Sequence, residues 1–172
     1  MKSIHHQLGD RKWRNVGILD DMATNGPLDS TNRLLLAELQ RDARLSLAEL
    51  GRRVGLSSPA VAERLQRLEQ TGTIRAYRAE VDPRALGLSL GAIIRIRPSP
   101  GQIQNVAELA QRTPEVVECH RVTGEDCYIM RAYVRDVLHL EEVIDRFTVL
   151  GQTTTSIMQS SPVPGRPVSL EA

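Results

Sequence analysis

The spacing of apolar residues changes character partway along the chain. Between residues 28 and 72, apolar side chains recur every three or four positions, which is the period of an amphipathic helix. From residue 88 onward, short apolar runs typical of strands alternate with two further helical segments. The pattern therefore predicts a helical domain followed by a mixed α+β domain.

Residues that favour helix ends divide the first part into short helices. Asp29 is a good N-cap for the first helix. Ser46 and Glu49 form a capping box at the start of the second helix, which Gly55 ends. The side chains expected on the inner faces of the three helices are Leu35, Leu36 and Leu39, then Leu47, Leu50 and Val54, then Val61, Leu65 and Leu68.

A third helix, from Ser57 or Ser58 to Gly72, follows the second after a tight turn. Two helices joined in this way define a helix-turn-helix, in which the second helix enters a groove of DNA. Its outer side combines small, polar and cationic side chains, which allow close approach to bases and phosphates. Residues 73–81 contain β-forming side chains, and we interpret them as a strand on one side of a wing. The alternative is a three-helix bundle with arginines on its surface.

The arginines are concentrated around this motif. Residues 51–78 contain six arginines and two glutamates, although the formal net charge of the whole chain is only +1. Such a concentration is what a phosphate-binding surface requires, although a solvated helical face also accounts for it. The predicted DNA contacts are Arg52, Arg53, Ser57, Ser58, Pro59, Ala60, Glu63, Arg64, Arg67, Arg75 and Arg78.

The second part of the chain predicts six elements in the order β-α-β-β-α-β. This order is that of the split β-α-β, or ferredoxin-like, sandwich. A tight Gly-Glu-Asp turn joins the second and third strands. The predicted strands are 88–96, 116–122, 127–134 and 153–158, and the predicted helices are 102–112 and 137–150.

Segments of both parts resemble the Lrp/AsnC family, the leucine- and asparagine-responsive or feast/famine regulators. The similarity is carried by residues 28–35, 47–57 and 61–74 in the helical part and by residues 122–128 in the second part, and it extends over about residues 28–160. It implies a regulator that binds double-stranded DNA and whose second domain senses an amino acid and builds a homo-oligomer. Dimers in this family commonly join into tetramers or octamers, with the effector bound between dimers.

The fold class is therefore α+β: an N-terminal winged helix-turn-helix joined to a C-terminal β-α-β-β-α-β, ferredoxin-like, amino-acid-sensing sandwich. The expected DNA-binding domain spans residues 28–82 and the effector-binding and oligomerisation domain spans residues 83–160. Residues 161–172 form a proline-rich C-terminal tail. The extension at 1–27, with three basic residues around Trp13, is either a basic arm or a poorly ordered tail.

The resemblance places the effector near the turn between the second and third strands. A glycine turn exposes backbone N–H groups that can hold a carboxylate, and a nearby acidic side chain can hold an amino group. Cys127 departs from the family pattern, since many relatives carry an acidic residue there. The alternative is that Gly124 merely makes a hairpin. The implied effector-binding residues are Thr123, Gly124, Glu125, Asp126, Cys127 and Tyr128. Thr155 in the last strand is a further candidate through its hydroxyl, and the alternative is that it is there for its β-propensity.

Neither the residues nor their spacing indicate an enzyme. The sequence contains no Ser/His/Asp arrangement, no glycine-rich phosphate loop and no metal-binding cluster, and Cys119 and Cys127 do not form a CxxC pair. No apolar run is long enough to span a membrane, and the N-terminus lacks the apolar segment of a signal peptide. We therefore expect a cytoplasmic protein without enzymatic activity, cofactor, metal or membrane partner.

The predicted function is sequence-specific regulation of transcription at amino-acid metabolism genes, controlled by an amino-acid effector. The alternative is an amino-acid-binding module that regulates an enzyme allosterically, as a ferredoxin-like domain alone could do. The helical domain at 28–82 favours the regulator.

Overall fold

A computed structural model describes residues 28–163 and 165–170, so the predicted extension at 1–27 lies outside the described residues. The described chain forms two compact units. The first contains residues 28–78 together with 167–170, and the second runs from residue 79 to residue 166. Part of the range expected to be a C-terminal tail therefore belongs to the first unit.

The first unit contains the three predicted helices, and each begins at a side-chain cap. The helices are α1 (Ser30–Arg41), α2 (Leu47–Val54) and α3 (Ser58–Gln70). Asp29, Ser46 and Ser57 are the N-caps, and each side chain accepts a hydrogen bond from the backbone N–H three residues later. These bonds satisfy donors that a helix start leaves without an intrahelical partner, which is why the polar residues mark the boundaries so well.

Leucine and valine side chains from all three helices form the core of the first unit. The predicted inner positions are confirmed except for Leu47, which is 41% exposed because it lies at the very start of α2, where the helix leaves the core. Val54 is partly buried at the rim of the core. The buried members are Leu35, Leu36, Leu39, Leu50, Val61, Leu65 and Leu68.

The turn between α2 and α3 depends on two glycines. Gly55 has φ +72°, the left-handed conformation that ends α2, and Leu56 N–H donates to Gly51 O at 2.9 Å. Gly51 is buried, and a Cβ added there would overlap the carbonyl oxygen of Leu56. The backbone of the turn therefore packs directly on α2, so that α3 starts only four residues after α2 ends.

The prediction of a wing strand at residues 73–81 is wrong, because no residue of this segment is in a strand. Ile74 N–H donates to Leu68 O at 2.9 Å, so the start of the segment closes α3 instead of beginning a strand. The sheet pairs only strands of the second unit, and a strand without a neighbour cannot share its backbone hydrogen bonds. A short 3-10 helix, Pro83–Leu86, follows.

The second unit has the predicted β-α-β-β-α-β order. Its elements are β1 (Leu90–Pro98), α4 (Ile103–Arg112), β2 (Val116–Arg121), β3 (Tyr128–Val134), α5 (Val137–Thr148) and β4 (Gly151–Ile157). The four strands form one sheet in the order β2-β3-β1-β4, with every neighbouring pair antiparallel. The two central strands, β1 and β3, are therefore the first and third in the chain, as the split β-α-β arrangement requires.

Alternation along the central strands gives the sheet two different faces. Ile94 and Ile96 of β1 are fully buried in a cluster that includes Phe147 of α5. The intervening residues of β1 and β3 point to the opposite face, which neither α4 nor α5 covers. That open face carries apolar and charged side chains, namely Ile93, Arg95, Ile129, Arg131 and Tyr133.

A buried polar cluster joins α5 to the start of β2. His139 Nε2 lies 3.0 Å from Glu115 Oε1, and Arg135 N–H donates to His139 Nδ1 at 3.3 Å. Arg146 of α5 adds a weaker contact to Glu115 Oε2 at 3.5 Å. Desolvation alone would raise the pKa of Glu115, but the hydrogen bond from His139 and the other contacts outweigh it and lower that pKa below its ordinary value.

We predict that this cluster makes the second unit sensitive to acid. Because folding lowers the pKa of Glu115, its contribution is fully present above the ordinary value of 4.5 and is lost as the pH falls through the folded-state value. Thermal unfolding between about pH 3 and about pH 6 should show a smaller pH dependence for Glu115→Gln than for the wild type. The exposed Glu141→Gln variant is the control, and an equal reduction in both variants would contradict the prediction.

We predict that Gly51→Ala destabilises the protein more than Gly55→Ala. Alanine gains about 1 kcal/mol of helix propensity at Gly51, but displacing the turn costs more, for a net loss of about 2 kcal/mol. Gly55→Ala meets no neighbouring atom within 4 Å and should lose about 1 kcal/mol through its left-handed backbone alone. Urea unfolding followed by circular dichroism measures the free energy of unfolding of both variants. Equal decreases in that free energy would show that the turn does not pack closely on Gly51.

Candidate nucleic-acid interface and effector turn

The outer side of α3 is open along its length. Val61, Leu65 and Leu68 anchor the helix in the core. Ser57, at its cap, and Arg67, near its end, are exposed on the other side. Of the other predicted DNA contacts on this helix, Pro59 and Glu63 are exposed, and Ser58, Ala60 and Arg64 are partly buried. The free N–H groups at the helix start add a site that favours an anion.

Arg64 is held by the start of α1. Its Nη1 donates to Asp29 Oδ2 at 2.6 Å and to Asn32 Oδ1 at 3.0 Å. The hydrogen bond from Arg64 is the main reason why the pKa of Asp29 lies below its ordinary value. Asp29 therefore caps α1 with one carboxylate oxygen and binds α3 with the other. This pairing does not follow from local sequence pattern, because the partners lie more than thirty positions apart.

Arg67 is placed differently from Arg64. Its nearest acidic partner is Glu63, at 3.5 Å, and both side chains are about three-quarters exposed, at 74% and 75%. Such an exposed i,i+4 pair is weak, so that the guanidinium is available to a stronger anion. Both arginines line a cleft of about 330 Å³ beside the start of α1, together with Asp29, Asn32, Leu56, Ala60 and Glu63.

The two arginines of α2 belong to an ion-pair network with acidic side chains. Arg53 donates to Glu49 Oε1 at 2.8 Å and to Glu38 Oε2 of α1 at 2.6 Å. The hydrogen bond from Arg53 is the largest of the effects that give Glu38 a pKa below its ordinary value. Arg52 pairs with the other oxygen of Glu49 and remains largely exposed. Arg53 therefore joins two helices, whereas Arg52 extends from the surface.

The segment after α3 carries the remaining predicted DNA contacts. Arg75 and Arg78 are exposed, and neither forms an ion pair with another described residue. Tyr77 anchors the segment, because its hydroxyl donates to Glu69 Oε1 at 2.9 Å. Burial, followed by the contact with Glu69, raises the pKa of Tyr77 to about 12. These arginines therefore lie on a segment without regular structure that is fixed to the end of α3.

The predicted effector turn is a hairpin attached to the central strand β1. Gly124 has φ +113°, which favours glycine. Val122 N–H donates to Cys127 O at 2.9 Å, and Cys127 N–H donates to Ile96 O of β1 at 3.0 Å. Thr123 is exposed and Cys127 is partly buried, so that the turn is accessible at one end of the sheet.

Two arginines of β1 hold the acidic side chains of this turn. Arg97 Nη2 donates to Glu125 Oε2 at 2.5 Å, and Arg97 Nε donates to Glu125 O at 3.2 Å. Arg95 lies 3.9 Å from Asp126. Neither arginine was among the residues predicted from the sequence, although their alternate positions at the end of β1 were a usable signal. Both acidic side chains of the turn therefore lie beside arginines of β1, Glu125 in direct contact and Asp126 at a longer distance.

The side chains of the remaining two predicted effector residues do not line the turn. Tyr128 is buried in the core, where its hydroxyl donates to Ile103 O of α4 at 3.1 Å. Thr155 pairs with Ile94 from edge strand β4, and β1 separates β4 from β3. Within one chain the structure therefore groups residues 123–127 and does not bring Thr155 to them.

Taken together, the two units define a class of protein. A helix-turn-helix whose second helix is open on its outer side and carries the exposed Arg67, followed by a ferredoxin-like unit, is the architecture of a two-domain DNA-binding regulator. None of the helices in the described part of the chain is long and apolar enough to cross a lipid bilayer.

Comparison with known proteins identifies the family. Residues 28–69 match the AsnC-type helix-turn-helix domain and residues 91–168 match the Lrp/AsnC ligand binding domain. The chain therefore belongs to the Lrp/AsnC family of helix-turn-helix transcription regulators and carries both of its domains. The resemblance and the α+β fold predicted from the sequence are confirmed.

Individual relatives are similar over most of this chain. The HTH-type transcriptional regulator LrpC of Bacillus subtilis (strain 168) is 32% identical over 133 residues, which are 77% of this chain and 92% of LrpC. The leucine-responsive regulatory protein of Escherichia coli (strain K12) is 38% identical over 113 residues, 64% of this chain and 69% of that protein. The structure of a Neisseria meningitidis transcriptional regulator in complex with L-Met has a TM-score of 0.77 at 27% identity and covers 84% of this chain and 97% of that one.

Proposed function

We propose that this protein regulates transcription of amino-acid metabolism genes by placing α3 in the major groove of double-stranded DNA, under the control of an amino-acid effector. The observation that carries the DNA-binding part is the open outer side of α3, with Arg67 three-quarters exposed and only weakly paired. The protein acts by binding rather than by catalysis. We place it in the cytoplasm, where a regulator of this kind meets its DNA.

The residues predicted to contact DNA fall into two groups, those that are exposed and those that other residues of the same unit already bind. Arg67, Arg75 and Arg78 are exposed and meet phosphates or guanine edges. Arg52 contributes from α2 once it leaves Glu49. Arg64 acts in this proposal by holding α3 against α1, because its guanidinium already binds Asp29 and Asn32. Ser57, Ser58, Pro59 and Ala60 allow the start of α3 to approach the backbone closely, and Glu63 lies beside them.

A salt titration separates the two arginines of α3. The probe is a duplex selected from a random library by the full-length protein. Arg67→Gln removes a phosphate contact, so the slope of log affinity against log salt should become shallower by about 1. Arg64→Gln should weaken binding while leaving the slope unchanged, because it alters the placement of α3 and not the number of phosphates neutralised.

The exposed Arg112→Gln variant on α4 is the control and should match the wild type. Absence of salt-dependent binding by the wild-type protein would overturn the proposed function. If Arg64→Gln made the slope of log affinity against log salt as shallow as Arg67→Gln does, Arg64 would instead be a direct DNA contact.

The effector is proposed to bind at the turn of residues 123–127. Backbone N–H groups of this turn and the guanidinium groups of Arg95 and Arg97 offer donors for a carboxylate. Glu125, 88% exposed, is able to turn from Arg97 toward an amino group. Tyr128 supports the site from the core, and Thr155 reaches it only from another subunit.

Assembly supplies that second subunit. We propose that the open sheet face of Ile93, Ile129 and Tyr133 pairs two copies into a dimer, since sheets that expose apolar side chains on one face commonly pack face to face. Dimers then join into tetramers or octamers, with the effector between them. Two α3 helices about 34–36 Å apart would fit successive major grooves of one DNA face.

We predict that Gly124→Asp removes the effector response while leaving DNA binding by the effector-free protein. A thermal-shift screen of the twenty amino acids identifies the effector, and sedimentation with and without it measures the change in assembly. Gly87→Asp is the matched control, because Gly87 also has positive φ, at +76°, and open space around it, but lies at the opposite end of β1. Equal loss of the response in both variants would contradict the assignment.

A further inference from the structure

The C-terminal segment of residues 167–170 lies along α1. Gln40 Nε2 donates to Val168 O at 3.3 Å, and Arg33 Nη1 donates to Leu170 O at 2.6 Å. Arg33 is near the start of α1 and Gln40 is near its end. The segment therefore runs antiparallel to the helix, and side chains of the helix bind its backbone carbonyls.

The two apolar side chains of the segment differ in their surroundings. Leu170 is partly buried and packs against the hydrophobic core of the helix-turn-helix. Val168, two positions earlier, is 76% exposed. Carbonyl bonds at Val168 and Leu170 hold the backbone, and Leu170 alone adds an apolar anchor. One helix surface thus recognises both the backbone and one side chain of this segment.

Arg33 connects the segment to the start of α1. While Nη1 binds Leu170, Arg33 Nε donates to Leu28 O at 3.2 Å. Leu28 directly precedes Asp29, the residue that caps α1 and holds Arg64 of α3. Two hydrogen bonds of Arg33 therefore connect Leu170 with Leu28. The next residue, Asp29, then binds Arg64 of α3, the second helix of the helix-turn-helix.

We propose that the outer side of α1, defined by Arg33 and Gln40, is a docking surface for the chain's own residues 167–170, and that docking positions α3 for DNA. This proposal rests on the proposed DNA-binding function. Its occupant is identified by the segment seated on the surface, whose carbonyls match the guanidinium and amide donors of α1. Docking fixes the start of α1, and the Asp29–Arg64 pair transfers that constraint to α3.

Two substitutions in the segment provide a matched test in the full-length protein. Leu170→Ser removes the buried anchor, so hydrogen exchange at the start of α1 should become faster and DNA affinity should fall by about fivefold. Val168→Ser changes an exposed side chain and should match the wild type in both measurements. The docking surface would be overturned if neither variant showed faster hydrogen exchange at the start of α1. It would also be overturned if Leu170→Ser and Val168→Ser changed exchange and DNA affinity equally.

Truncation after Arg166 removes the segment and should reproduce the Leu170→Ser result. A synthetic peptide of residues 163–172 added to the truncated protein should restore slow exchange and DNA affinity, whereas the same peptide with Leu170→Ser should restore neither. Faster exchange with unchanged DNA affinity would overturn the positioning role. If the wild type binds no DNA, the proposed function fails, while the exchange measurement still decides whether the segment docks.

The occupant is tested by cross-linking. The variant with Gln40→Cys and Val168→Cys, in a background with Cys119→Ser and Cys127→Ser, should give a product of monomer size with a short thiol cross-linker. A product of dimer size would show that the segment comes from a second copy and would overturn self-docking.

Discussion

The contact between Gly51 and the carbonyl of Leu56 is the constraint on which the DNA-binding unit depends. Because Gly51 has no side chain, the turn after α2 packs onto the helix itself. The third helix can then start after a very short connection, with Val61 and Leu65 in the core and the opposite side open. A wider turn would shift the start of α3, which is the part of the helix that must reach a groove.

Opposite charges then determine which arginines are available. Acidic residues of the same unit hold Arg53 and Arg64 in contacts between helices, whereas Arg67 has only an exposed neighbour on its own helix. The cationic surface is therefore smaller than the arginine content implies. This division separates arginines that hold helices together from arginines that remain exposed. In the second unit, Arg97 is likewise paired with Glu125, whereas Arg95 lies 3.9 Å from Asp126.

The extent to which the sequence predicts the structure follows from the range of each interaction. Caps such as Asp29 and Ser46 act on backbone groups three residues away, so the helix starts were predictable. The alternation along β1 likewise indicated which side chains are buried. The strand expected at 73–81 failed because a strand depends on a partner that local pattern does not reveal. The pairing of Arg64 with Asp29 was not predictable either, since a tertiary contact between α3 and the start of α1 creates it.

The DNA-binding unit is built from two separate segments of the chain, residues 28–78 and 167–170, and this has a practical consequence. An affinity tag or fluorescent protein joined directly after residue 170 would begin beside α1, because Arg33 of that helix binds the carbonyl of Leu170. Such a fusion would compete with residues 167–170 for Arg33 and crowd the helices of the helix-turn-helix. Labels for studies of operator binding are therefore better placed at a position remote from both ends of this unit, such as the exposed surface of α5.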